Sequence, residues 1–225
     1  MCWNKEVSLF SFVIICVVSY ALYKRDLKND KFLTFFIMSY GSMQLFEFLI
    51  WLGIDTNKIY LNKIGSILAS ILLYLHPLAI IIGMSLDKAY KKYTNNPYYK
   101  ILFLASVILV LFGIYNIIFH MNKKNKTYKF LSYPDKISKH LVWDFPDHYH
   151  YVIVLSLLIS IFIFLENKLF WLVIFVYYFA PWVLIKLNMT VDKINKTKNY
   201  NGSYWCWYVA AFSFILYFMN SKLQN

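Results

Sequence analysis

Arginine occurs once in this chain of 225 residues, at Arg25, and lysine supplies the rest of its 23 basic side chains. Acidic residues number 11, glycines 6, prolines 5 and cysteines 3. So few cysteines exclude a disulfide scaffold, and so little glycine and proline excludes collagen-like and low-complexity chains. Charged residues are scarce too, at 15% of the chain, where globular proteins carry about 25%. What is present is apolar: 60% of residues are hydrophobic and 21% aromatic, which excludes a disordered chain and leaves too little polar surface for a soluble domain. The expected fold is all-α, a polytopic transmembrane helical bundle of about seven helices, forming one integral membrane domain over residues 1–225. The net charge of +12 then bears first on topology. No aromatic-interleaved basic groove or nucleic-acid motif accompanies it, so the expected partner is the lipid bilayer and no nucleic acid.

The apolar stretches run over about 7–23, 32–54, 63–86, 99–119, 149–165, 168–187 and 204–219. A bilayer core needs about 20 helical residues, with ~17 tolerated, so the first, fifth and seventh are marginal. Backbone groups in hydrocarbon must bond within their own segment, and the period-2 alternation of a barrel is absent, so helices are expected. The first stretch has Lys5 and Glu6 before it and no small-residue cleavage site after it, and is expected to stay as a helix. The one sizeable connection, 120–148, begins with Lys123, Lys124, Lys126 and Lys129 and reads as a solvated, topology-setting loop.

Seven helices place the termini on opposite faces. With the long connection set aside, basic residues favour the face of the C-terminus as cytoplasmic, which leaves the N-terminus external or lumenal. Asn-x-Ser/Thr triplets at Asn125, Asn188, Asn195 and Asn201 all fall on the N-terminal face. So do Cys2 and Cys206, which a lumenal or external face would allow to form a disulfide; two apolar thiols at the interface are the other reading.

Polar residues inside spans are expensive and mark functional candidates. Tyr40, Gln44, Glu47 and Trp51 recur on one helical stripe of the second span. Two readings of Glu47 stand: a ligand-binding or proton-handling carboxyl, or a hydrogen-bonded clamp between helices. The third span holds His76-Pro77, where proline cannot donate to the carbonyl of Leu73 and a kink is expected. By depth, His76 matches Tyr40 and Gln44 better than Glu47. Trp3, Trp51, Trp143, Trp182, Trp205 and Trp207 belong to the N-terminal face, which suggests an aromatic cap there or an interfacial belt. The group His140, Asp144, Asp147, His148 and His150 has metal-friendly types, but its spacing matches no zinc signature, so no metal is expected. No nucleophile motif, phosphate cradle or span-embedded Schiff-base lysine appears in the last stretch, so no cofactor is expected.

The opening Met1-Cys2-Trp3-Asn4 resembles an uncharacterised family of small polytopic membrane proteins of bacteria and large DNA viruses that begin Met-Cys-Trp-Ser/Asn. Ser42-Met43-Gln44-Leu45-Phe46-Glu47, Asn62 with Tyr74-Leu75-His76, His140-Leu141-Val142-Trp143 and Trp205-Cys206 are similar to further elements of that family. Pro77 directly after His76 departs from its pattern, as does the lack of a downstream Gln-Pro. The resemblance implies a multi-pass membrane protein, of viral source in one reading, and no activity.

Function is therefore expected at a pocket opening on the N-terminal face. Tyr40, Gln44, Glu47, Trp51 and His76 would line it, and Trp182 and Trp205 would wall it. The expected activity is binding or transport of a small amphiphilic ligand. The alternatives are an intramembrane lipid-modifying enzyme using Glu47, His76 or His140, or a structural protein of a cellular or viral membrane. Catalytic residues and oligomeric state are not legible.

Overall fold

A computed structural model describes residues 4–122, 129–134, 141–144, 150–165 and 205–222. These are mostly helical: α1 (Lys5–Arg25), α2 (Asp30–Asp55), α3 (Ile59–Leu86), α4 (Pro97–Asn122), α5 (His150–Phe162) and α6 (Trp205–Lys222), with a 3-10 turn at Lys91–Tyr93. The expected span at 168–187 lies outside the described residues.

The helices start and stop where local chemistry dictates. Asn4 caps α1 by accepting the Val7 N–H at 2.9 Å, and Asp26, left-handed at φ 52°, closes it with its N–H on the Leu22 carbonyl. Asn29, at φ 70°, makes no side-chain cap for α2; that task falls to a residue of another helix, described below. Asn57, at φ 55°, reverses the chain in the short turn between α2 and α3. Asn96 accepts the Tyr98 N–H at 2.8 Å, and Pro97 opens α4, where its missing N–H is harmless. α3 continues as one helix through Pro77. The helices outrun the apolar stretches at most ends because their polar first and last turns are capped rather than apolar.

α1, α2, α3 and α4 are long and apolar enough to cross a membrane. Their outer faces agree with that reading. On α4, Ile101, Leu104, Ile108, Leu111, Tyr115 and Ile118 are exposed at helical spacing, and on α1 so are Phe10, Val13, Val17 and Tyr20. Apolar stripes of this length are expected against lipid rather than water.

α2 and α3 form the closest pair. A Cβ on Gly53 would lie 2.5 Å from the backbone nitrogen of Asn62, and one on Gly65 would lie 2.8 Å from the carbonyl oxygen of Phe46. Small residues permit backbone approach, which is how helices associate without a hydrophobic drive between them. Lys5 of α1 donates to Asp55 at the far end of α2 at 2.9 Å, so these helices are antiparallel neighbours. At the other end, the chain after α5 brings Phe164 against Tyr93, Tyr98 and Tyr99, with ring centroids 5.2–5.8 Å apart.

One departure from the expected all-α fold lies in the long connection. Tyr133–Pro134 (β1) and Leu141–Val142 (β2) pair antiparallel, Tyr133 with Val142 and Pro134 with Leu141. Nor are these parts of the connection solvated: Phe130, Ser132, Leu141, Val142 and Trp143 are buried. The two strands are two residues each, too short for any sequence periodicity to register.

Candidate functional site

The α2 stripe forms as its spacing predicts. Tyr40, Gln44, Glu47 and Trp51 are all buried, Gln44 and Glu47 completely. Buried beside them on α3 are Ser66, Ser70 and His76. The Tyr40 and His76 rings lie 4.1 Å apart, centroid to centroid, tilted by 35°. This is the pairing by depth that helix rise suggested. His76 Nδ1, Ser70 Oγ and Trp51 Nε1 have no hydrogen-bond partner among the described residues. α4 closes the neighbouring side: Asn116 Nδ2 donates to Tyr74 Oη at 3.4 Å.

Over the N-terminal end of this seam sits the β1–β2 ladder. Phe130, Leu141 and Trp143 join Met43, Ile50, Trp51, Ala69, Leu72 and Ile117 in one apolar cluster. Asn62 of α3 holds the segment in both directions: its Nδ2 donates to the Ser132 carbonyl at 2.7 Å, and its Oδ1 accepts the Ser132 N–H at 3.0 Å. The side-chain amide thus bonds Ser132 as a strand neighbour would. Ser66 and Ser132 share a hydroxyl bond of 2.8 Å. Asp144 accepts the N–H of Lys129 at 2.9 Å and of Leu131 at 3.3 Å, which ties the two halves of the segment together. Trp51 and Trp143 therefore do contribute to a cap on this face.

Other expected site residues fall elsewhere. Trp182, Cys2, His140, Asp147 and His148 lie outside the described residues, as do the side chains of Trp205, Cys206 and His150. Cys16 is a free thiol.

Sequence reasoning missed a second polar cluster, at the opposite end of the bundle. Asp30, fully buried at the start of α2, accepts from Arg25 Nε at 2.8 Å, Arg25 Nη2 at 2.6 Å, the Leu27 N–H at 2.9 Å and Asn220 Nδ2 of α6 at 2.7 Å. The Arg25 guanidinium also lies 4.3 Å from the Tyr217 ring centroid and donates to the Tyr217 carbonyl at 3.2 Å. Asp87, at the end of α3, supplies the cap that Asn29 does not. Its carboxylate accepts the N–H groups of Lys31 and Phe32, at 3.1 and 3.2 Å, and of Asn29 and Ala89. A carboxylate at a helix N-terminus also meets the positive end of the dipole. The available signal was the lone arginine five residues before an aspartate at a span's edge, since arginine suits a buried carboxylate where lysine does not. Outside the spans, Lys88 at 2.7 Å and Lys31 at 3.3 Å hold the Asp26 carboxyl below its ordinary pKa, and Asp26 in turn raises that of Lys88.

The fold defines an integral membrane protein of the α-helical class, with a buried polar seam between two of its helices. No protein-family model, curated protein or solved structure matches the chain.

Proposed function

We propose that this is a multi-pass membrane protein that binds or transports a small amphiphilic molecule in the seam between α2 and α3. The observation that carries the reading is the burial of Tyr40, Gln44, Glu47 and Trp51 beside Ser70 and His76, inside helices that are otherwise apolar. A buried polar group left without a partner costs about 1–3 kcal/mol, and His76 Nδ1, Ser70 Oγ and Trp51 Nε1 stand in that position among the described residues. A ligand offering an acceptor to the indole N–H and a hydroxyl or carboxyl to the imidazole would relieve it. Trp51 and Tyr40 are separated by three helical turns, roughly 16 Å, a length suited to a short acyl or isoprenoid chain. Trp182 and Trp205 would add walls on the N-terminal face, and the segment held by Asn62 would roof the seam.

Seven spans, with an external or lumenal N-terminus and a cytoplasmic C-terminus, belong to the same proposal. Phe164 after α5 and Asn220 of α6 both reach the end of the bundle that holds Asp30 and Tyr99. A further crossing between α5 and α6 would be supplied by the apolar stretch 168–187, which is long enough to span. A Cys2–Cys206 bridge would fit this orientation. Kinship with the Met-Cys-Trp family would place the protein among multi-pass membrane proteins and adds no activity.

Photoaffinity labelling tests the reading. The full chain in nanodiscs is irradiated with an alkyne-tagged diazirine fatty acid, and labelled peptides are mapped. Label should concentrate on the facing sides of α2 and α3 and fall at least fivefold in Glu47→Gln or His76→Leu variants that melt like the parent. Label confined to the lipid-facing stripes of α1 and α4, or unchanged by both substitutions, would reduce the seam to helix packing and favour a structural protein.

A further inference from the structure

The two ends of the bundle differ in the charge that their described residues carry. Among the described residues, the end that holds the α1–α2 and α3–α4 connections carries nine basic side chains, Lys24 through Lys31, Lys88 through Lys100 and Lys222, against three acidic ones. Two of those acids, Asp30 and Asp87, are buried and occupied by Arg25 and by backbone N–H groups. The third, Asp26, is shared between Lys88 and Lys31. At the opposite end, the described Lys5, Lys58, Lys63 and Lys129 meet the described Glu6, Asp55 and Asp144, which is close to balance among the described residues.

The basic rim is also built rather than loose. Two tyrosines, Tyr90 in the α3–α4 connection and Tyr99 in the first turn of α4, turn inward: Tyr90 Oη donates to Asn29 Oδ1 at 2.8 Å, and Tyr99 Oη to the Ile81 carbonyl at 2.7 Å. Lys88, Lys91, Lys92 and Lys100 are thereby left exposed on a fixed support. Tyr20, Tyr23 and Tyr98 are exposed at the same level. Lys24 lies over the Tyr20 ring, Lys31 over Tyr23 and Lys92 over Tyr93, at 5.0–5.9 Å from the centroids. Tyr20 ends the apolar stripe of α1, and Tyr23 and Tyr98 lie just beyond the stripes of α1 and α4, where tyrosine suits headgroup depth, so the ammonium groups beside them would lie in the phosphate layer.

We infer that this rim is a binding surface for anionic phospholipid headgroups, which it gathers around the ends of α1, α3 and α4. The ammonium groups donate to lipid phosphate, the tyrosine rings hold the lysine stems at that depth, and the acyl chains lie along the exposed stripes. The inference is independent of what occupies the α2–α3 seam. Near an anionic surface each lysine adds about a fivefold gain in partition, and salt weakens the gain.

The full chain in nanodiscs of phosphatidylcholine and phosphatidylglycerol tests it, with protein-bound lipid counted by native mass spectrometry. Phosphatidylglycerol should be enriched among bound lipids several-fold over its bulk fraction at low ionic strength. The enrichment should fall to near the bulk fraction in the triple variant Lys91→Gln/Lys92→Gln/Lys100→Gln, and should persist in Lys58→Gln/Lys63→Gln at the other end. High salt must lower it in the parent protein, an arm that needs no variant to fold. Equal retention of both lipids, equal loss in the two variants, or displacement by millimolar inorganic phosphate would overturn the inference.

Discussion

The guanidinium of Arg25 grips the carboxylate of Asp30 with two hydrogen bonds, 2.8 Å from Nε and 2.6 Å from Nη2, and the acceptor is wholly buried. One pair thereby fixes the α1–α2 turn, and through Asn220 and Tyr217 it draws in α6 from the far end of the chain. Breaking a buried pair from one side leaves the other charge uncompensated, at about 3–5 kcal/mol. Asp30→Asn should therefore destabilise by about that amount. Arg25→Lys should recover little of the lost geometry, because an ammonium cannot span both carboxylate oxygens. Thermal unfolding in detergent measures both. A drop in Arg25→Lys of less than a third of that in Arg25→Ala would show that charge alone suffices.

The grip of Asn62 on Ser132 predicts a local effect. Asn62→Leu removes a donor and an acceptor together and leaves both Ser132 backbone groups buried without them, at ~1–3 kcal/mol each. Amide exchange across 129–134 and 141–144 should accelerate at least tenfold while α1 and α2 keep their protection. Hydrogen exchange read by mass spectrometry checks this; uniform acceleration over the whole chain would mean that the segment is not a separable unit.

Gly53 and Gly41 predict unequal responses to the same change. A Cβ at Gly53 meets the backbone of Asn62, which cannot step aside, whereas one at Gly41 meets only the side chain of Ile15. Gly53→Ala should destabilise by about 1–3 kcal/mol through overpacking. Gly41→Ala should lose less and be partly rescued by Ile15→Ala, which removes the Cγ2 and Cδ1 atoms that the new methyl would meet. Unfolding of the three variants decides the matter, and equal losses at both glycines would count against a backbone contact between α2 and α3.

The Asp26–Lys88 pair predicts a plateau in the dependence of stability on pH. Asp26 is held below its ordinary value of 3.8, so its contribution is present above that value and is lost as pH falls through the lowered one. Lys88 is raised above its ordinary 10.5, so its contribution is full below that value and is lost as pH rises through the raised one. Lys88→Met should lower stability across the plateau and flatten its acidic edge. An acid limb identical to the parent's would exclude Asp26 as its source.

Much of the architecture was legible in the residues. The first four apolar stretches became α1 to α4, and the positions 40, 44, 47 and 51 came to lie on one buried stripe, because helical period and lipid solvation are local properties that composition records directly. Helix rise alone also matched Tyr40 with His76, whose rings meet. The connection after α4 was a different matter. Its lysines suggested solvent, but Phe130, Leu141 and Trp143 have buried partners dispersed over α2, α3 and α4, and no window of sequence contains them all.

The sequence by itself determined that this chain belongs in a bilayer, where its first four spans run and which of their polar residues need shelter. That follows because a helix in hydrocarbon must satisfy its own backbone and offer apolar side chains. Only the tertiary structure decided what each polar residue meets. Asp87 caps a helix more than fifty residues before it, Asn62 binds the backbone of Ser132 seventy residues after it, and the single arginine serves one buried aspartate. Such pairings depend on distances between helices set by glycine contacts and interdigitated side chains, which are properties of the packed bundle.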